Sequence, residues 1–481
     1  MRLNLIRFKV AAKKRGQKKE NVPIGSAIKF KRNALKMTLE EASKDICSIS
    51  YLSKLENNVI VPSDKYVIQL KQRFCIHEES TPFDVEIYEQ RLHKLITSML
   101  DNRSLSSSFL LDIGERTDYQ TLLLRLGYHV LNQETKESHD AYHKIIPVIS
   151  SMPDQEFSIL ICLISKILCE ETRYHESNET LSMIPDDMHH LELMLCRDKS
   201  VLINAMHMDN HALFHLIYPR YQQILIQLGH YKQMNELKYA SVSYFANAMS
   251  ITAFQTLLQQ HPRIPTPLKS LSIAKNMLFN HRYEEVISYI NQQKSTKHHE
   301  WYIIKLLAYD ALNDKAQIIR LLSLNKHREL SYNHMLLVGF MKAKHTYDKD
   351  MLLTYLRTVI LGDHFLTDDV HTLKFLQHHA HAIFKSHFFY KEAAEVYTKF
   401  HRIIDMLKRS DYFFNKEPQA LFFLDKKCIS SLLFYFKYCI LIEGMEDDIY
   451  AHFKALKIGK GVLGFICDCC DFHCHPSIYL L

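Results

Sequence analysis

A chain of 481 residues, 47% hydrophobic and 23% charged, has the composition of a folded protein with a sizeable core and is too long for one small domain. Only 11 Gly and 12 Pro are present, with no proline between Pro267 and Pro418. So little turn-forming material excludes a β-rich fold and predicts an all-α one. The formal charge of +7 is uneven: residues 1–75 carry 17 Lys and Arg against 6 Asp and Glu, so a basic head precedes a slightly acidic body. Such a head suits a polyanion, although a solvated basic tail would give the same balance. Arg2, Arg7 and Lys9 interrupt what would have to be the apolar part of a secretory signal, and no run of about 18 apolar residues could span a membrane. Several of the eleven cysteines, such as Cys162, Cys169, Cys196 and Cys439, lie in apolar helical stretches where a thiol acts as a small hydrophobe. A reducing, cytoplasmic location is expected.

In chain order, residues 1–22 are dense in Lys13, Lys14, Arg15, Lys18 and Lys19 without amphipathic period, and are expected to form a flexible basic arm. Residues 23–77 predict a compact unit of four to five helices. Pro23 suits a first helical position, with Ile24, Ile28 and Leu35 forming an apolar face. Thr38 followed by Glu41 is a capping box that starts a second helix, which ends near Ile46-Cys47. Ser48 caps a third helix with Leu52 and Leu55 inward and Ser50, Tyr51, Ser53 and Lys54 outward. Pro62-Ser63 opens a fourth, whose Val67, Leu70 and Phe74 share one side.

Residues 78–105 read as a linker and connecting helix, and residues 106–455 as a helical-repeat domain. Short polar turns at Arg282-Tyr283, Asn313-Asp314, Thr346-Tyr347 and Phe389-Tyr390 recur at intervals of 31, 33 and 43 residues, with similar turns at Arg173-Tyr174 and His230-Tyr231. Ala393, Tyr397, Phe400, Ile404 and Leu407 form the apolar stripe of the last helix. Hairpins of about 34 residues resemble degenerate tetratricopeptide (TPR) repeats stacked into a superhelix. Residues 456–481 form a Cys/His-rich tail.

Two short helices joined by a tight turn, the second exposing small polar groups at its start, can enter a major groove. The amides behind Thr38 could take a phosphate. A four-helix bundle without a ligand is the other reading of this pattern. The stretch from Met37 to Asn57, followed by Val61-Pro62-Ser63, resembles the Xre/Cro-type helix-turn-helix. It is most similar to the version in peptide-pheromone-responsive regulators of Gram-positive bacteria, the Rgg/PlcR/PrgX (RRNPP) group, which join this domain to a TPR-like sensor. The resemblance implies a quorum-sensing transcriptional regulator with two partners, a double-stranded DNA operator and a short peptide effector, acting as a homodimer; with no spanning apolar run, no membrane attachment is expected. It also implies DNA contacts from Ser48, Ile49, Ser50, Tyr51, Ser53 and Lys54, beside the phosphate contact at Thr38 read above, and a structural ion pair between Arg32 and Glu56. Leu39 stands where many members carry a DNA-contacting Gln, and it cannot donate a hydrogen bond.

For the implied peptide, Asn204, Asn247, Asn276 and Asn333, each shortly before a Met, are candidate backbone partners because an amide both donates and accepts; surface or helix-end asparagines are the plainer reading. Cys467, Cys469, Cys470, His473, Cys474 and His475 offer thiolate and imidazole ligands, but their spacing is poor for a structural zinc site, so a reduced tail without metal is expected. No Gly-rich phosphate loop, H-E-x-x-H or G-x-S-x-G is present, and neither catalysis nor a cofactor is expected. A repeat scaffold that captures a partner protein is the alternative function.

Overall fold

The computed structural model describes residues 3–13, 23–76, 85–111, 118–184, 190–293, 299–323, 330–362 and 367–409. Every regular element among them is helical, and the chain is an all-α protein with an N-terminal helix-turn-helix domain followed by a helical-repeat region. Helix α1 is Ile6–Lys13; α2 to α5, the helix-turn-helix domain, are Pro23–Ala34, Leu39–Ser43, Ile49–Glu56 and Asp64–Arg73. There follow α6 (Val85–Asp101), α7 (Tyr119–Leu131), α8 (Thr135–Ile145), a 3-10 turn at Ile146–Ser151, α9 (Asp154–Glu170), α10 (Tyr174–Leu181), α11 (Leu191–His207) and α12 (His211–Gln227). Then come α13 (Tyr231–Phe245), α14 (Ile251–Gln260), α15 (Thr266–Phe279), α16 (Tyr283–Gln292), α17 (His299–Ala311) and α18 (Lys315–Ser323). The last four are α19 (Tyr332–Thr346), α20 (Lys349–Tyr355), α21 (Val370–Ser386) and α22 (Tyr390–Lys408).

Helix starts follow local chemistry. Thr38, Ser48, Asp118, Asn210, Ser250, Ser331, Asp348 and Asp369 each accept a backbone N–H of the first turn on the side chain. Helix ends are less ordinary. With glycine scarce, the left-handed closing residue is often a side-chain-bearing one, such as Asn58, Asn102, Thr172, Asp209, His281, Asn313 or Phe388, and among the described residues the one left-handed glycine is Gly229. The turn after α15 shows the hydrogen-bond pattern: Arg282 N–H reaches the Met277 carbonyl at 3.0 Å and His281 N–H the Leu278 carbonyl at 3.1 Å. All six polar turns read from the sequence mark helix boundaries, most at the first residue of the following helix.

The described residues fall into two compact units, one within Met1–Met234 with residues 331–409, the other within Asn235–Leu330. In the first, later helices are tied to earlier ones by polar contacts. Asp368 N–H donates to the Thr172 carbonyl at 2.9 Å, Asn210 Nδ2 to the Leu407 carbonyl at 3.2 Å, and Lys374 pairs with Asp209 at 2.9 Å. All of these ties lie within the repeat region expected over residues 106–455. The second unit is built on Leu271, Ala274, Val286, Ile290, Trp301, Ile304 and Ala308.

Three local expectations change. On α22 the buried stripe is Ala393, Val396, Phe400, Ile404 and Leu407, while Tyr397 is exposed, because a step of three residues after Ala393 keeps the 3.6 period on the core side. Leu35 lies beyond the end of α2 and is exposed rather than part of its apolar face. The arm expected to be flexible is in part docked: Leu3, Leu5 and Phe8 are buried, and residues 6–13 are helical. Apolar side chains at spacings of two and three straddle an extended stretch and a helix start, so neither period is visible alone.

Candidate nucleic-acid interface

The helix-turn-helix domain closes around Ile28, Ala42, Leu52, Leu55, Leu70 and Phe74. Helix α2 crosses α4 closely: a Cβ on Gly25 would lie 2.1 Å from the Leu55 carbonyl oxygen, so only glycine fits. Arg32 makes a two-pronged bond to Glu56, Nε–Oε1 at 2.6 Å and Nη2–Oε2 at 2.8 Å, and donates to the Met37 carbonyl at 2.9 Å. It thereby ties α2, the α3 entry and α4 together, as the resemblance implied. Arg73 from α5 caps the end of α3 by donating to the carbonyls of Ala42 at 3.1 Å and Lys44 at 2.5 Å. Nothing in the sequence pointed to that contact.

Around this frame the expected DNA-facing residues divide. Ser48 is the N-cap of α4 and accepts the Tyr51 N–H at 3.1 Å. Ser48, Ile49, Ser50 and Lys54 are exposed and Ser53 is half-buried, so the first turns of α4 present hydroxyls, one aliphatic group and one ammonium. Tyr51 is turned aside. Its hydroxyl accepts the Ser63 N–H at 2.8 Å and its ring packs edge-on to Tyr66 at 4.9 Å, joining α4 to the start of α5. Thr38 is exposed, but its capping box is complete: Thr38 N–H donates to Glu41 Oε2 at 2.7 Å and Thr38 Oγ1 accepts the Glu41 N–H at 3.2 Å. That bonding holds the Glu41 carboxyl below its usual range. Among the cations of the domain, Lys36, Lys44, Lys54 and Lys65 are exposed.

The far end of α4 is held by the helical body. Asn58 is buried and closes α4 at φ 53°, and its Nδ2 donates to the Ser151 carbonyl at 2.7 Å. Ser151 Oγ donates to the Glu56 carbonyl at 2.5 Å, and Ser150 Oγ to Asn57 Oδ1 at 2.8 Å. Lys29 joins this group through Asn57 and Ser150, and the Tyr119 N–H donates to buried Ser26 Oγ at 3.0 Å. The partners are up to 95 residues apart in sequence, so no local pattern reveals them.

Three of the four asparagines singled out for a peptide have internal partners. Asn204 is buried, donating to Ser177 Oγ and Asn178 Oδ1 at 2.9 and 2.7 Å and accepting from Cys169 Sγ at 3.0 Å. Asn276 caps the chain after α13 by donating to the carbonyls of Ala246 and Met249 at 3.1 and 2.8 Å. Asn333 is buried and accepts from Thr367 Oγ1 at 2.5 Å. Their amides serve the internal structure, while Asn247 is half-exposed in the turn after α13. Cys467, Cys469, Cys470, His473, Cys474 and His475 lie outside the described residues. No helix among the described residues is long and apolar enough to cross a membrane.

A short second helix followed across a tight turn by a capped helix with an exposed polar start defines the class: a DNA-binding helix-turn-helix. Residues 28–74 match the family model described as helix-turn-helix, in agreement with the Xre/Cro-type resemblance. The chain thus carries the DNA-binding module of a transcriptional regulator. None of the curated proteins and none of the solved structures compared matches the chain.

Proposed function

We propose that this protein is a cytoplasmic transcriptional regulator that reads a double-stranded operator with the N-terminal half of α4 and senses a short peptide through its helical body. Ser48, Ile49 and Ser50 meet base edges in the major groove, and Lys54 with Lys36, Lys44 and Lys65 meets phosphates. A two-fold operator calls for two copies of the chain, hence a homodimer. One observation carries the reading: α4 is free at the end that would enter DNA and fastened at the other end to the body, through Asn57, Asn58, Ser150 and Ser151. A ligand that alters the body therefore has a route to α4.

An electrophoretic mobility shift at two salt concentrations tests it. Ser50→Ala should lower discrimination between operator and random DNA by about 1 kcal/mol or more. Lys54→Ala should weaken binding to both and reduce the salt slope by about one. Retention of full affinity, selectivity and salt slope by the Ser50→Ala/Lys54→Ala double variant would remove α4 from the interface.

A further inference from the structure

The N-terminal segment lies on the helical body in the manner of a bound peptide. Leu3-Asn4-Leu5 is bonded through its main chain. Leu3 N–H donates to Glu171 Oε1 at 2.9 Å, the Leu3 carbonyl accepts from Arg173 Nη1 at 2.7 Å, and the Asn4 carbonyl accepts from the Tyr142 hydroxyl at 2.8 Å. Leu3, Leu5 and Phe8 are buried, while Asn4, Ile6 and Arg7 are exposed. The Phe8 ring stacks on Phe157 of α9 at 6.4 Å, and Lys9 pairs with Glu179 of α10 at 2.7 Å. Main-chain bonds plus pockets for alternate side chains are how folded proteins hold extended peptides.

The seat is prepared on the body's side. Glu171 and Arg173 are fixed to each other at 2.7 Å, and Glu176 holds the other edge of the guanidinium at 2.6–2.7 Å. His139 of α8, 1% exposed, places Nε2 3.2 Å from the same Glu171 oxygen that takes the Leu3 N–H. A carboxylate at that point offers more to a free amino terminus than to an amide. An ammonium in place of the Leu3 N–H would make a charge-assisted bond. The seat is also connected to the DNA-binding domain, because α1 and α2 both pack on the Ile146–Ser151 turn whose last two residues hold Asn57 and Asn58.

We propose that the surface formed by α8, α9, α10 and the turn between the last two is a peptide-binding site, occupied in cis by Leu3–Lys9. Its ligand is a separate peptide with a free amino terminus, apolar side chains at its first, third and sixth positions and a basic residue at its seventh. The cis segment and the ligand exclude one another, so ligand binding withdraws α1 from the turn that supports α4. This rests on the sensing reading above only for its effect on DNA; the site stands or falls by binding alone.

The test uses the full chain and a synthetic peptide with the sequence of residues 3–13, dye-labelled at its carboxyl end and followed by fluorescence anisotropy. Phe8→Ala, or Lys9→Glu should the first variant fold poorly, loosens the cis segment and should raise peptide affinity at least tenfold over the native chain. Acetylating the peptide's amino group should lower that affinity several-fold. The Glu179→Lys chain should bind the native peptide poorly and the Lys9→Glu peptide well. Equal affinity of the native and loosened chains for the peptide, with unchanged helicity, would overturn the site and leave DNA binding by α4 untouched. Tight peptide binding without any change in the mobility shift would keep the site and remove its role in sensing.

Discussion

Asn58 offers a direct measure of how firmly the body holds α4. Two substitutions separate its roles. Asn58→Gly keeps a residue suited to φ 53° and removes only the amide, whereas Asn58→Ala removes the amide and puts a Cβ-bearing residue poorly suited to that conformation there. Losing the 2.7 Å bond forfeits about 1 kcal/mol and leaves the buried Ser151 carbonyl without its donor, at about 1 kcal/mol more. Glycine should therefore cost about 2 kcal/mol, and alanine about 3 kcal/mol once the left-handed backbone is included. Hydrogen–deuterium exchange over residues 49–58 reads this locally, since 2 kcal/mol corresponds to about thirty-fold faster opening. A change below about threefold in both variants would mean that the Asn58–Ser151 contact does not fasten the domain, and the coupling route would lose its main support.

Other perturbations give distinct outcomes. Arg32→Ala strands the buried Glu56 carboxylate and should cost about 3–5 kcal/mol in urea unfolding, whereas the joint change Arg32→Met with Glu56→Leu should cost much less. Gly25→Ala forces α2 away from α4 and should destabilise the domain by about 3 kcal/mol; a melting point within a degree of the native one would contradict the close crossing. Burial holds the pKa of His139 and His371 below the ordinary 6.5, so on acidification the unfolded chain takes up these protons first. Stability should therefore fall as pH drops through and below 6.5, and the His139→Gln/His371→Gln variant should show a shallower fall in thermal unfolding between about pH 7.5 and about pH 5.5.

Much of the local architecture was legible because its causes are local. The Thr38–Glu41 capping box, the Ser48 cap and the polar turns at residues such as Arg282-Tyr283 each involve partners within a few positions. Arg32–Glu56 was legible only through the family resemblance, being 24 residues apart. Tyr51 illustrates the limit: sequence places it outward on α4, yet its reach lets the hydroxyl turn back to Ser63. Asparagine misleads for a related reason, since the amide that suits a ligand suits a helix end equally, as Asn276 and Asn204 show. The N-terminal strap and the Ser150–Ser151 latch depend on residues 93 to 170 positions away, beyond any periodicity.

The Ile146–Ser151 turn concentrates duties that are elsewhere spread over whole helices, since α1, α2 and the tail end of α4 all lean on its six residues. Genetic change there cannot be confined to one consequence. For the regulator proposed above, alleles that respond without a signal, or never respond, should gather at this hexapeptide and its immediate neighbours, while losses of operator choice should gather on the first turns of α4. A selection for each phenotype would sort the two groups along the chain.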